Sequence, residues 1–150
     1  EQAWRVWLIC AGRGFGKTRA GAEWVRDVAR HDGGARIALV GASLAEVRSV
    51  MVEGDSGLLA AAPGALAPHY EPSLRKLTWE NGAIAWLYSA AEPESLRGPQ
   101  HSHAWCDEIA KWENVNDRAE RTWDNLQLTM RVGAAPRVLA TTTPRQAPLM

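Results

Sequence analysis

Apolar positions along the chain fall into short continuous runs separated by longer stretches of helical period. Val6 to Ala11 (Val-Trp-Leu-Ile-Cys-Ala) is one such run, closed by glycine, and reads as a buried strand. Residues 17–31 are rich in helix formers, with Ala20, Trp24, Val28 and His31 on one stripe at i, i+4 spacing, which predicts an amphipathic helix. Gly33-Gly34 ends that helix, and Arg36 to Gly41 reads as a second buried strand. Ser43-Leu44-Ala45-Glu46 fits a capping box, so a helix is expected to start there and run to about Val52. Strand, helix, strand, helix is the beat of a parallel α/β sheet.

Residues 53–73, with glycines and three prolines, are expected to form an irregular surface excursion. Lys76 to Glu80 and Ala83 to Tyr88 flank Asn81-Gly82, the pair preferred in a type I′ turn, and predict a β-hairpin over 76–88. A loop from Glu92 to Gln100 leads into a short strand, His103 to Asp107. A second amphipathic helix is predicted over 116–131 through Ala119, Trp123, Leu126 and Met130. The last strand, Arg137 to Thr142, is closed by Pro144. No internal repeat or low-complexity segment interrupts the pattern.

Composition adds bounds. The 150 residues are 46% hydrophobic and 23% charged, which excludes disordered, collagenous and coiled-coil classes. The length suits one domain with a core that needs no staples. Two cysteines are too few for a disulfide scaffold, no run reaches about 18 apolar residues, and the N-terminus lacks the form of a signal peptide. The chain is therefore expected to be soluble and intracellular. Seventeen basic residues balance seventeen acidic ones, so no global basic field advertises a nucleic-acid partner. Residues 1–50 hold eight Lys/Arg and five Asp/Glu, while residues 51–150 hold nine and twelve. Fourteen of the basic residues are arginine, which sets Lys17 apart from all but Lys76 and Lys111.

Three motifs carry chemistry. Ala11-Gly12-Arg13-Gly14-Phe15-Gly16-Lys17-Thr18 lies between a strand and a helix and matches the phosphate-binding pattern G-x-x-x-x-G-K-[ST], except that Ala11 replaces the first glycine. Its glycines let successive N–H groups curl into an anion nest, and the helix N-terminus adds positive dipole. Lys17 is expected to reach the β- and γ-phosphates and Thr18 to bind Mg²⁺. Asp107-Glu108 ends a later strand, where one carboxylate completes a metal shell and its neighbour polarises the attacking water. Asp107 suits the first task and Glu108 the second. Thr141-Thr142-Thr143 ends the next strand, where hydroxyls can sense a γ-phosphate; β propensity alone would supply the same residues.

Taken together, A-G-R-G-F-G-K-T, W-C-D-E and A-T-T-T-P, with E-S-L-R-G-P-Q before the carboxylates, resemble the large terminase subunit of tailed phages, closest to the subgroup in gene transfer agents and related prophages. G-A-E-W-V-R after the phosphate loop and E-P-S-L-R-K-L-T-W through the hairpin extend the resemblance over nearly the whole chain. It implies a Mg²⁺-dependent ATPase that drives double-stranded DNA through a portal protein into a procapsid, alongside a small terminase subunit, as a homo-oligomeric ring. The setting would be the host bacterial cytoplasm, with no membrane. It makes residues 11–18 the Walker A loop, Asp107-Glu108 the Walker B pair, and Thr141, Thr142 and Thr143 the coupling motif. Arg97 matches an arginine inserted into a neighbouring subunit's site, against the plainer reading that it pairs with Glu94. Arg13, inside the phosphate loop, is a rival, and Gln2 matches an adenine-reading glutamine.

The implied fold is a P-loop NTPase of the ASCE class with core strand order 5-1-4-3-2, a mostly parallel sheet flanked by helices, and an inserted hairpin. No segment answers to strand 5 and no nuclease carboxylate cluster appears, so residues 1–150 read as a single truncated ATPase domain without its nuclease, strand 1 being left as an edge. That order puts strand 4 between the strands of Cys10 and Cys106, beyond bridging distance, and both read as small core residues. His101 and His103 lack further zinc ligands at suitable spacing. Trp7, Trp24, Trp105 and Trp123 fall on core-facing positions, whereas Trp79 and Trp86 could face a partner. A helicase-like translocase, or a nucleotide-binding and portal-docking fragment without activity, are the alternative readings.

Overall fold

Arg36–Gly41, strand β2, sets the frame because its apolar side chains are buried on both faces. Ile37 and Leu39 point into one hydrophobic cluster, Ala38 and Val40 into the other. The structure, a computed structural model, describes residues 5–12, 16–60, 67–133 and 135–144. Seven strands form one sheet: β1 (Val6–Cys10), β2, β3 (His69–Glu71), β4 (Lys76–Thr78), β5 (Ile84–Ser89), β6 (His103–Cys106) and β7 (Arg137–Thr142). Their order is β1-β7-β6-β2-β5-β4-β3. Pairings from β1 through β5 are parallel, and β4 and β3 add antiparallel strands at the far side. The threonine strand lies between the phosphate-loop strand and the carboxylate strand, the arrangement implied by the resemblance.

Helix α1 (Lys17–His31) covers one face and α3 (Arg118–Thr129) the other. The buried stripe of α1 runs through Lys17, Gly21, Ala22, Val25 and Ala29. Ala20 and His31, expected on that stripe, are exposed, and Trp24 and Val28 lie at its margin. Spacing of the large residues pointed to the wrong edge of the stripe because the contact surface is built from small ones. Ser43 accepts from the Glu46 N–H at 3.2 Å and caps a short α2 (Leu44–Glu46), which continues as a π-helix, Val47–Val52.

Several expectations require correction. The hairpin expected over 76–88 is present, β4 running antiparallel to β5, and β5 also pairs in parallel with β2, so the hairpin is continuous with the main sheet. Its turn is not type I′, because of the Asn81-Gly82 pair only Gly82 has positive φ (106°). The Gly82 N–H donates to Trp79 O at 3.0 Å and the Trp79 N–H to Ala83 O at 2.9 Å, a three-residue loop closed by a bulge. Asn81 then donates from Nδ2 to Ala29 O at 2.7 Å, which pins the tip to the end of α1. Residues 53–73 are not wholly a surface excursion either. Leu58 is fully buried, Arg26 donates to Gly57 O and Leu58 O, and His69–Glu71 is strand β3.

Trp105 and Trp112 are buried, as is Trp79, for which the sequence allows a partner-facing role, while Trp7 is 53% exposed. Cys10 is exposed and Cys106 buried, both free, on strands separated by β7. Trp7 and Cys10 miss the core for one reason: β1 is at the sheet edge, pairing with β7 alone among the described residues, with Val6 and Leu8 also largely exposed. No helix among the described residues is long and apolar enough to cross a membrane.

Candidate functional site

The carboxyl ends of parallel strands are where α/β sheets bind ligands, and here β1, β7, β6 and β2 end side by side. The chain leaves β1 through Ala11, whose N–H donates to Thr142 O at 3.2 Å and ties the loop to β7. Gly16 enters α1 in the left-handed region (φ 79°, ψ 24°), a conformation that a side chain would strain. Among the described residues no side chain caps α1, and the amides of its first turn have no partner within the helix. Lys17 is only 9% exposed, and its Nζ donates to Gly12 O at 3.1 Å. Thr18, half-buried, follows on the same turn. Arg13, Gly14, Phe15 and Gln2 lie outside the described residues.

Asp107 extends the β6 ladder, its N–H donating to Val40 O at 2.9 Å. Thr141 donates from Oγ1 to Asp107 Oδ1 at 2.9 Å. Burial pushes the Asp107 carboxyl up to about 6; the Thr141 hydroxyl opposes this, the charges of Glu108 and Glu46 add to it, and that of Lys111 lowers it. Glu108 turns sharply out of the strand at φ 49°. Its carboxylate accepts from Thr143 Oγ1 at 2.9 and 3.1 Å and lies 3.8 Å from Lys17 Nζ. The Thr141 Oγ1 also accepts from the Glu108 N–H at 3.2 Å, so β7 holds both ends of the pair. Thr142 faces the other way, its Oγ1 accepting from the Ala110 N–H at 3.2 Å.

The site therefore brings together Gly12, Lys17, Asp107, Glu108, Thr141 and Thr143, with Gly16 and Thr18 flanking Lys17 at the start of α1, while Thr142 lies on the opposite face of β7. It does not include Arg97, which stands on the crossover from β5 to β6, exposed and paired with Glu94 at 2.8 Å; Arg121 reaches the same carboxylate at 3.3 Å. Sequence reasoning missed Lys111, whose Nζ pairs with Glu46 Oε1 at 2.9 Å, and Trp112, whose indole N–H donates to Asp107 O at 3.2 Å. A helix turn directly after a strand-end carboxylate pair was the available signal for both. His101 is no ligand candidate. Its Nε2 meets Tyr88 Oη at 2.9 Å and its Nδ1 meets Thr129 Oγ1 at 2.8 Å. Thr129 already donates to Leu126 O, so Nδ1 carries the hydrogen and Nε2 accepts from tyrosine.

A family model described as terminase large subunit, T4likevirus-type, N-terminal, matches residues 8–150. The chain belongs to that family. Solved large terminases share its fold. One from a thermophilic bacteriophage gives a TM-score of 0.73 at 11% identity, over 96% of the terminase chain described here and 34% of its own. The ATPase domain of a Thermus phage large terminase gives 0.67 at 15% identity, over 99% of this chain and 63% of its own. The thermophilic phage terminase in complex with ATP-gamma-S gives 0.69 at 12% identity, over 92% and 32%. The chain thus spans between about a third and just under two thirds of these chains. At such identities the likeness establishes the fold, that of the terminase ATPase domains, which are P-loop NTPases. No curated protein matches the sequence.

Proposed function

We propose that this terminase chain binds ATP with Mg²⁺ and hydrolyses it to drive double-stranded DNA into a viral or gene-transfer-agent procapsid. The observation that carries the reading is the convergence of Lys17, Asp107 and Glu108 at the end of the sheet, with Lys17 Nζ 3.8 Å from Glu108 Oε1. The uncapped first turn of α1 and Lys17 bind the phosphates. The ATP-gamma-S and ADP complexes of the structurally similar phage terminase support a nucleotide here.

Residues 11–18 act as the Walker A loop and Asp107-Glu108 as the Walker B pair. Thr18 and Asp107 fit a Mg²⁺ ion: a buried carboxyl pushed toward its neutral form by desolvation is the group a cation would return to its charged form. The ion would supply charge neutralisation at the phosphates. Glu108 orients and deprotonates the attacking water once Thr143 and Lys17 release its carboxylate. Thr141 and Thr143, bonded to the pair, report the state of the site to β7. Arg97 leaves Glu94 to complete a neighbour's site when copies assemble into a ring. Portal protein and small subunit are the further partners, in the host cytoplasm, and residues 1–150 belong to the ATPase domain.

Glu108→Gln tests the reading. The variant should bind ATP as the wild type does and release phosphate at least about 100-fold more slowly, as expected for loss of a general base. Unchanged phosphate release would remove Glu108 from the role. ATP binding without turnover in the wild type, with or without linear duplex DNA, would favour a docking fragment.

A further inference from the structure

Helix α1 descends from the site while β6 climbs towards it, and their periods keep step. Four residues of helix rise about 6 Å and two of strand about 6.6 Å. In the top layer Lys17 Nζ lies 3.8 Å from Glu108 Oε1, directly after Asp107. Two layers down, the Trp24 ring stands edge-on to His103 with centroids 5.7 Å apart. Between them Gly21 faces Trp105, one helical turn after Lys17 and two strand positions before Asp107.

That middle contact leaves no room. A Cβ on Gly21 would overlap Cε2 and Nε1 of the Trp105 indole, which is itself fully buried. Glycine inside a helix is unfavourable, so the position runs against local propensity and gains only the close approach. The indole N–H finds no hydrogen-bond partner among the described residues, so what Trp105 contributes there is bulk and flatness. We infer that Gly21 and Trp105 are positioning residues: glycine against indole sets the α1–β6 spacing and thereby holds Thr18 and Lys17 at working distance from Asp107 and Glu108. The inference rests on the nucleotide-site reading above.

The test measures binding of a fluorescent ATP analogue to the full chain, in Mg²⁺ and in EDTA, beside thermal midpoints. Lys17 opens α1 itself and bonds Gly12 O through its Nζ, so Gly21→Ala, which displaces α1 against β6, should leave the EDTA affinity within about twofold. It should cut the Mg²⁺-dependent gain, which needs both elements, by about tenfold or more, as expected when the support of a metal site is disturbed. Trp105→Phe should act in the same direction, and the double variant, in which the missing ring makes room for the methyl, should regain most of the wild-type gain. Folded single variants with lowered midpoints but an intact Mg²⁺ gain would make the contact mere packing and overturn the inference. So would a double variant no better folded than Gly21→Ala, or a wild type whose ATP affinity ignores Mg²⁺. A wild type that binds no ATP under either condition would instead remove the nucleotide-site reading itself.

Discussion

Two buried titrations of opposite sign should partly offset each other between pH 7 and pH 5, and single substitutions should separate them. Burial pushes His101 down from 6.5 to about 4. The unfolded chain therefore takes up this proton before the folded one, and stability falls as pH drops through the window between those values. From 6.5 to 5 the loss is about 1.5 units at about 1.4 kcal/mol each, or about 2 kcal/mol. Asp107 runs the other way: its folded value is raised from 3.8 to about 6, so the folded state protonates first and gains stability as pH falls. From 6 to 5 the gain is about 1 kcal/mol. His103, also pushed down by burial, adds to the loss, while Glu94, held low by Arg97, acts nearer the ordinary carboxylate range. Urea unfolding of the wild type should lose only about 1 kcal/mol over this span. Asp107→Asn keeps an acceptor for Thr141 and should lose about 2 kcal/mol, whereas His101→Gln should lose nothing or gain slightly. Three parallel profiles would refute the reasoning, because burial would then not be setting the protonation of either group.

Two further substitutions address the periphery of the site. Arg97→Ala should leave the thermal midpoint unchanged, since an exposed ion pair contributes little, and should abolish only the part of the ATPase rate that rises with protein concentration; a loss independent of concentration would place Arg97 in its own subunit's site. Asn81→Ala removes the bond to Ala29 O and should cost about 1–2 kcal/mol in urea unfolding with ATP affinity unchanged; an unchanged midpoint would show that the hairpin tip does not hold the end of α1.

What the sequence made legible was whatever depends on local pattern. The span of α1, the bounds of β2 and β7, and the placing of Lys17 and Asp107 at element ends all follow from apolar runs and glycine punctuation. What it hid was set by neighbours distant in the chain. Trp7 reads as core from its apolar run, yet exposure depends on what pairs beside β1, and no local signal carries that. Asn81-Gly82 favours one turn in isolation, but the tip packs against Gly33, where a Cβ would come within 2.5 Å of Asn81 O, and the loop takes the geometry that contact permits. The parallel pairing of β5 with β2 likewise brings together strands that sequence order alone would not join.

Three threonines in a row at the end of β7 show how far a propensity argument reaches. β preference would be served as well by valine, which has the same shape without the hydroxyl. Yet each hydroxyl has a distinct partner fixed by strand alternation. Thr141 points to the α1 face and donates to Asp107. Thr142 points to the α3 face and accepts from the Ala110 N–H. Thr143, past the strand end, bonds both oxygens of Glu108. Valine would leave Asp107 with one hydrogen bond fewer in a buried setting and Glu108 without its hydroxyl donor. The strand thus needs hydroxyls, not only β-branching, and it needs them consecutively because the two carboxylates and the turn that follows them come one after another directly past the end of its neighbour β6. A displacement of β7 along β6 would shift all of these bonds together. The sheet ladder that sets the fold therefore also sets the geometry of the site.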